Sequence, residues 1–179
     1  SPLPAPAISS DVTIPETFKI GFICLHDENS TYDLNFIEAA EAVQEALGLS
    51  NAQVIIKKNV EEGEACAVAA RDLAEQGCSV IFANSFGHED YMLTVAQEYP
   101  EIQFCHATGY KAALNPTVTN YSNAFANIFE GRYLAGIAAG MKLNEMIAAG
   151  EFTAEEAKIG YVGAFTYAEV ISGYTSFYL

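Results

Sequence analysis

Residues 18–36 read FKIGFICLHDENSTYDLNF. The segment begins as an apolar run at 18–25, interrupted only by Lys19, and then changes abruptly into a polar stretch at 26–33. An amphipathic segment follows at 34–47, and Gly48 comes directly after it. Helical spacing of apolar residues that ends at a glycine predicts a helix with a glycine C-cap. A strand that leads directly into a helix is the start of a βαβ unit.

The same alternation continues along the chain. Apolar runs rich in strand-forming residues recur at 53–57, 79–83, 102–107 and 159–163, with a shorter candidate at 118–121. Amphipathic segments lie between them at 62–76, 88–98 and 123–148. Continuous apolar strands that alternate with helices predict a parallel sheet flanked by helices on both faces. We therefore predict an α/β fold with a flavodoxin-like lobe, for which the strand order would be 2-1-3-4-5.

Composition excludes several classes of partner. The chain has 179 residues, of which 51% are hydrophobic, and its 8 basic and 23 acidic residues give a net charge of -15. Phosphate backbones and anionic lipid surfaces need clustered Lys and Arg, so we expect no nucleic-acid partner and no electrostatic membrane docking. No run approaches the roughly 18 apolar residues of a membrane span. Residues 1–16, rich in Pro and Ser, predict an N-terminal tether.

Cysteine and histidine spacing predicts no metal centre. The four cysteines form no CxxC pair or zinc-type cluster, which favours buried thiols over a disulfide or a metal site: Cys24, Cys66, Cys78 and Cys105. The three histidines all fall at ends of predicted strands, near acidic residues: His26, His88 and His106. A metal site or an acid–base pair there is an alternative hypothesis, but the spacing matches no zinc signature. We expect no metal, no cofactor and no catalytic residue.

Two polar loops predict a binding crevice. In open parallel sheets, ligands bind at the carboxyl ends of the strands, beside the point where the strand order reverses. For the order 2-1-3-4-5 that point lies between the first and third strands, whose loops are 26–33 and 84–90. Each loop leads into a helix N-terminus, which suits hydroxyl, carbonyl or anionic groups. The residues expected near the crevice are Ser30, Thr31, Tyr32, Asp33, Asn35, Asn84, Ser85 and Phe86.

The alternative for the first loop is that Asn29, Ser30 and Asp33 only cap the helix that follows.

The kind of ligand follows partly from absent motifs. The chain contains no GxGxxG, no GxxxxGK[ST] and no GxSxG, which argues against dinucleotides, triphosphates and hydrolase chemistry. The polar and aromatic groups that remain suit a sugar, nucleoside or nucleobase. The residues available to stack on a ring are Tyr32, Phe86, Phe165 and Tyr167.

Four segments carry a family resemblance. They are KIGFICLHDENSTYDLNFIEAA (19–40), NSFGHEDYMLTVAQEYPEIQFCHATGYK (84–111), FEGRYLAGIAAGM (129–141) and KIGYVGAFTYAEVISGYTSFYL (158–179). In this order they resemble the basic membrane protein family of ABC-transporter substrate-binding lipoproteins, which includes purine nucleoside receptors. The resemblance implies the type I periplasmic-binding fold, in which two α/β lobes close on a ligand without catalysing a reaction.

The resemblance also implies a domain layout. Residues 17–121 would form lobe 1, and residues 122–179 would begin lobe 2. Because 158–179 starts another strand, loop and helix and then stops, we expect the chain to be the N-terminal portion of a larger protein. Ligand contacts would come from the first loop, the third-strand loop and a lobe-2 loop: Ser30, Thr31, Tyr32, Asn35, Ser85, Phe86, Phe165, Tyr167 and Glu169.

The implied function is capture of a purine nucleoside or nucleobase for an ABC importer, with the transporter's membrane subunits as partners. The implied location is extracytoplasmic, either periplasmic or anchored to the cell membrane through a lipid-bearing N-terminus. Two other classes stay open: a ligand-sensing domain of a regulator, and an enzyme that uses the His, Asp and Glu residues of the strand-end loops. Convergence of His26, His88 and His106 in one cleft would favour the enzyme.

Overall fold

The structure is a computed structural model that describes residues 13–179. It divides into two compact units, the first extending to Phe125 and the second comprising Ala126–Leu179. Most of the predicted tether at 1–16 lies outside the described residues. The predicted lobe boundary at 121/122 falls at the first residue of a strand that belongs to the first unit.

The first unit is built on a five-stranded parallel sheet. Its strands are β1 (Ile20–Ile23), β2 (Val54–Lys57), β3 (Val80–Ala83), β4 (Gln103–Ala107) and β5 (Tyr121–Ala124). The spatial order is β2-β1-β3-β4-β5, and every neighbouring pair is parallel. The predicted sheet and strand order are therefore confirmed. The fifth strand begins where the predicted one, 118–121, was expected to end.

Helices follow the strands as the pattern predicts. They are α1 (Thr31–Leu47), α2 (Glu64–Glu75), α3 (Glu89–Glu98) and α4 (Lys111–Leu114), and a 3-10 turn at Phe86–His88 precedes α3. Gly48 ends α1 in the left-handed conformation, with φ 64°, and its N–H donates to the Glu45 carbonyl. A residue with a Cβ is strained in that conformation, which explains the glycine.

The core lies between the sheet and the pair α2 and α3. Leu73 of α2 and Met92 of α3 are fully buried there against Ile81 of β3 and Phe104 of β4. Gly21 of β1 makes this approach possible, because a Cβ at that position would lie 2.8 Å from the Cδ1 atom of Leu73.

The opposite face of the sheet carries α1. Phe22 and Phe82 point to this side, since they alternate along their strands with core residues. Their rings stack with centroids 5.2 Å apart. Together with Phe36 and Val43 of α1 they line an apolar cavity of about 460 Å³ that extends across β4 and β5. Helices therefore lie on both faces, as predicted, but the α1 face is the more open of the two.

The second unit contains two helices, α5 (Ile128–Ala148) and α6 (Ala168–Phe177). The α5 helix begins later than the predicted residue 123, because residues 121–124 pair with β4 instead. Gly136 of α5 lies against α6, where a Cβ would meet the Phe177 carbonyl oxygen at 2.0 Å. None of the helices within residues 13–179 combines the length and the hydropathy of a membrane span.

The predicted strand at 159–163 is wrong. Residues 158–163 have no regular secondary structure, although the apolar pattern is that of a buried strand. A strand requires a neighbour to pair its backbone N–H and C=O groups, and no strand is present in the second unit, residues 126–179. Tyr161 instead packs against the rings of Tyr174 and Phe177, at centroid distances of 5.4 and 5.2 Å.

The core packing makes a prediction about Leu73. Replacing it with alanine leaves a cavity beneath β1, so L73A should lower the free energy of unfolding by about 2–5 kcal/mol. V68A on the same helix is the matched control, because Val68 is 58% exposed. We expect its effect to stay within about 0.5 kcal/mol. Urea unfolding followed by circular dichroism measures both, and equal losses for the two variants would contradict the assigned core.

Candidate functional site

The loops after β1 and β3 meet at the carboxyl edge of the sheet. The Tyr32 hydroxyl donates a hydrogen bond of 2.6 Å to the backbone carbonyl of Asn84. The Asn84 side chain donates 2.6 Å to the Asp33 carboxylate and accepts at 3.2 Å from the backbone N–H of Leu25. These contacts join the two polar loops at the point where the strand order reverses, as the pattern predicts.

Asp33 organises the first loop. Its buried carboxylate accepts from the His26 backbone N–H at 3.2 Å and from the Ser30 hydroxyl at 2.7 Å, in addition to Asn84. The Ser30 Oγ in turn accepts from the Asp33 backbone N–H, so the two residues form a capping pair. Burial would raise the pKa of Asp33, but the hydrogen bonds from Ser30, Asn84 and His26 outweigh it and hold this pKa below its usual value.

Ser30 and Asp33 therefore cap α1, as the capping alternative predicts. It is wrong for Asn29, whose side chain donates to the Asp27 carboxylate at 2.9 Å. A different group of predicted residues stays at the surface of the crevice. Thr31 and Asn35 are exposed, and the Asn35 side chain donates to the Thr31 carbonyl at 2.5 Å.

Tyr32 presents an aromatic surface at this edge. Its side chain is 45% exposed, and its ring packs against Phe36 with centroids 5.0 Å apart. The hydrogen bond to Asn84 holds the phenol end of the ring. Partial burial raises the pKa of the Tyr32 phenol. The ring is therefore fixed in orientation while much of its surface stays open to solvent.

The second loop depends on a residue that sequence reasoning missed. The Glu62 carboxylate accepts from the Ser85 hydroxyl at 2.5 Å and from the Gly87 backbone N–H at 2.8 Å. Hydrogen bonding from Ser85 lowers the pKa of Glu62 against the opposing effect of burial. Ser85 itself is only 6% exposed, and Phe86 is half-buried. Glu62 follows β2, so the rule that sites lie at strand carboxyl ends could have identified it.

Two of the three histidines support the backbone of these loops. The buried His106 contacts the Ser85 carbonyl through Nε2 at 2.6 Å, and the buried His88 contacts the Val60 carbonyl through Nε2 at 2.9 Å. Burial lowers the pKa of both imidazoles. His26 is exposed. Within residues 13–179, no group of three or more His, Cys, Asp or Glu side chains is arranged to hold a metal ion.

The four cysteines are free thiols. Cys24, Cys66 and Cys78 are buried, as predicted, and Cys105 is half-buried. Burial raises the pKa of Cys24 to about 11 and that of Cys66 to about 12. Thiols with such pKa values stay protonated at neutral pH, so these side chains pack as small apolar groups.

Three predicted ligand residues belong to the second unit. Phe165 and Tyr167 are 66% and 42% exposed, and their rings stack with centroids 5.4 Å apart. Glu169 lies in the first turn of α6. The second unit therefore brings these three residues together on the segment that enters α6.

The Asp33 network predicts an acid-sensitive contribution to stability. A carboxyl group whose pKa is lowered by folding stabilises the folded state above its unfolded pKa, near 3.9, and loses this effect as pH falls through the lower folded pKa. D33N should therefore lower the free energy of unfolding by about 1–3 kcal/mol at pH 7, and by less at pH 3. Urea titrations at both pH values measure the difference. E38Q, on the exposed side of α1, is the control. A D33N effect that is equal at both pH values would contradict the network.

Comparison with known proteins shows the family. The model of the Bmp family, described as ABC transporter substrate-binding protein PnrA-like, matches residues 22–179. A purine-binding protein of Brucella abortus is 34% identical over 167 residues, which cover 92% of this chain and 42% of that protein. A putative ABC transporter glucose-binding protein of Haloferax volcanii is 40% identical over 98 residues, covering 55% of this chain and 21% of that protein.

Solved structures share the fold. An ABC transporter solute-binding protein from Conexibacter woesei superposes with a TM-score of 0.57 at 20% identity, covering 69% of this chain and 40% of that one. A transcriptional activator of the comK gene from Bacillus halodurans gives a TM-score of 0.56 at 18% identity, covering 89% and 49%. The chain thus spans less than half the length of these relatives. By its family match and its fold, the chain belongs to the Bmp family of PnrA-like ABC transporter substrate-binding proteins.

Proposed function

We propose that this chain carries part of the ligand site of a solute-binding protein that captures a purine nucleoside or nucleobase for an ABC importer. The observation that carries the proposal is the Tyr32 ring, which is half exposed and held by its hydroxyl at the adjoining ends of β1 and β3. A fixed aromatic face beside hydrogen-bonding groups suits a flat heterocyclic ring. The name of the Brucella relative, which matches nearly all of this chain, supports a purine ligand.

The residues of the first unit have distinct proposed roles. Tyr32 stacks on the base, with Phe86 beside it. The residues that bond to the edges and hydroxyls of the ligand are Ser30, Thr31, Asn35 and Ser85. In the second unit, we keep Phe165, Tyr167 and Glu169 as proposed ligand contacts. The site binds and releases its ligand without catalysis. Membership of a family of ABC transporter substrate-binding proteins supports this assignment.

Family membership also supports the proposed setting. We propose that the complete protein acts outside the cytoplasm, either periplasmic or held at the membrane by a lipid anchor, and delivers its ligand to the membrane subunits of the transporter. A sugar ligand is the second candidate, since the Haloferax relative is named as glucose-binding. A transcriptional activator shares the fold, so a ligand-sensing role for the complete protein is a further candidate.

A thermal-shift screen tests the ligand class. The complete protein is heated with adenosine, guanosine, inosine, adenine or glucose, each in large excess. A ligand at about 100 times its Kd stabilises the folded state by about 2.7 kcal/mol, which raises the melting temperature by several degrees. We expect a nucleoside or adenine to give this shift. A shift with glucose alone would overturn the purine assignment.

Two substitutions at Tyr32 test the stacking role. Y32A removes the aromatic face, and we expect affinity for the bound purine to fall by at least about tenfold, in line with about 1–3 kcal/mol for stacking on a base. Y32F keeps the ring but removes its hydrogen bond to Asn84. It should cost about threefold to tenfold, because the ring loses its anchor. Isothermal calorimetry measures both. Wild-type affinity in Y32A would exclude Tyr32 from the site.

A further inference from the structure

The three strand-end loops on the crevice side of the first unit share one feature. In each of them, a carboxylate of the protein itself accepts backbone N–H groups of the loop. Asp33 accepts from His26 at 3.2 Å, Glu62 from Gly87 at 2.8 Å, and Glu89 from Tyr110 and Lys111 at 2.8 and 2.6 Å. Loops of this kind usually offer such N–H groups to anionic ligands. Here internal carboxylates already occupy those positions.

Glu62 fits tightly against the loop that leads into α3. A Cβ at Gly87 would lie 2.3 Å from the carboxyl carbon of Glu62, so the carboxylate is packed directly on the backbone. Ser85 donates its single hydroxyl hydrogen to the same oxygen that accepts from Gly87. The Ser85 Oγ therefore has only lone pairs left, and these suit a ligand group that donates a hydrogen bond. A phosphate oxygen at this place would face an acceptor and a negative charge.

Basic side chains do not compensate for these charges. Five of the eight basic residues of the chain lie in the first unit. Each of the five has a partner within that unit: Lys19 with the Gln76 carbonyl, Lys57 with Asp72, Lys58 with Glu28, Arg71 with Glu64 and Glu98, and Lys111 with Asp90. All five cations are therefore already paired within the first unit and are not available to a phosphate group.

We propose that Glu62 is a specificity-determining residue that excludes anionic ligands, so that the crevice accepts a nucleoside or base and rejects its phosphorylated forms. The inference rests on the proposed function and adds to it the charge of the ligand. Of the three acidic residues, Glu62 is exposed, whereas Asp33 and Glu89 are buried. Glu62 can therefore be changed with the least effect on folding.

The test compares E62Q with E61Q in the complete protein. Glu61 is the exposed neighbour, and its substitution changes the net charge by the same amount. Calorimetry at constant ionic strength gives the affinities for adenosine, guanosine and inosine and for their 5′-monophosphates. The Oε1 atom of glutamine still accepts hydrogen bonds, so E62Q can hold the Ser85 loop, and it is compared with wild type by the ratio of its affinities for monophosphate and nucleoside. Its affinity for the matching monophosphate should rise by about tenfold or more.

The control and a second titration separate the possible failures. E61Q should leave the ratio of monophosphate affinity to nucleoside affinity unchanged. If this ratio changes as much in E61Q as in E62Q, net charge alone explains the effect, which would overturn the proposal. An unchanged ratio in E62Q would overturn it as well. If the wild type binds no nucleoside, the proposed function fails instead. Thermal shifts with inorganic phosphate then test Glu62 independently. Phosphate should raise the melting temperature of E62Q but not that of the wild type or E61Q. An E62Q melting temperature that phosphate does not raise would overturn the proposal.

Discussion

The buried hydrogen bond between the Asn84 amide and the Asp33 carboxylate is the contact on which the arrangement of the crevice depends. Asn84 follows β3 and Asp33 lies in the first turn of α1, so the bond joins two elements that are distant in sequence. Each partner is also bonded to the backbone near the end of β1. A buried polar pair of this kind is stable only when all its groups are satisfied, which leaves the loops little freedom.

The loop that carries Ser85 and Phe86 is held from other directions. Glu62 bonds to its hydroxyl and to the Gly87 N–H, and His106 bonds to the Ser85 carbonyl. Glu62 lies in the segment that follows β2, and His106 lies in β4, so the supports come from either side of the central strands. A ligand that binds such a preformed loop loses less free energy in ordering it. The Glu62 carboxylate also places a negative charge beside the loop. The rigidity of the loop and the preference that we propose for an uncharged ligand therefore have a common origin.

The predicted and observed secondary structure differ most where pairing with a neighbouring strand determines whether a segment forms a strand. The run at 159–163 has the composition of a buried strand, yet it forms none, because the second unit offers it no strand to pair with. Residues 121–124 show the reverse case. The pattern places residue 121 at the end of a strand and residues 123–124 at the start of a helix, but all four pair with β4, and α5 starts at Ile128. Local propensity is a weak guide when a neighbouring strand is present or missing.

The sequence by itself determined the parallel sheet and the two polar loops at the carboxyl ends of its strands, because burial on both faces imposes a pattern that can be read from apolar periodicity. The strand order was assumed by analogy and is shown by the structure. It also determined the family, through four segments in a common order. Only the tertiary structure decided which polar residues remain available to a ligand. Ser30 and Ser85 give their hydroxyl hydrogens to Asp33 and Glu62, whereas the ring of Tyr32 stays half exposed. Such hydrogen bonds join residues far apart in the chain, and their geometry exists only once the strands are paired.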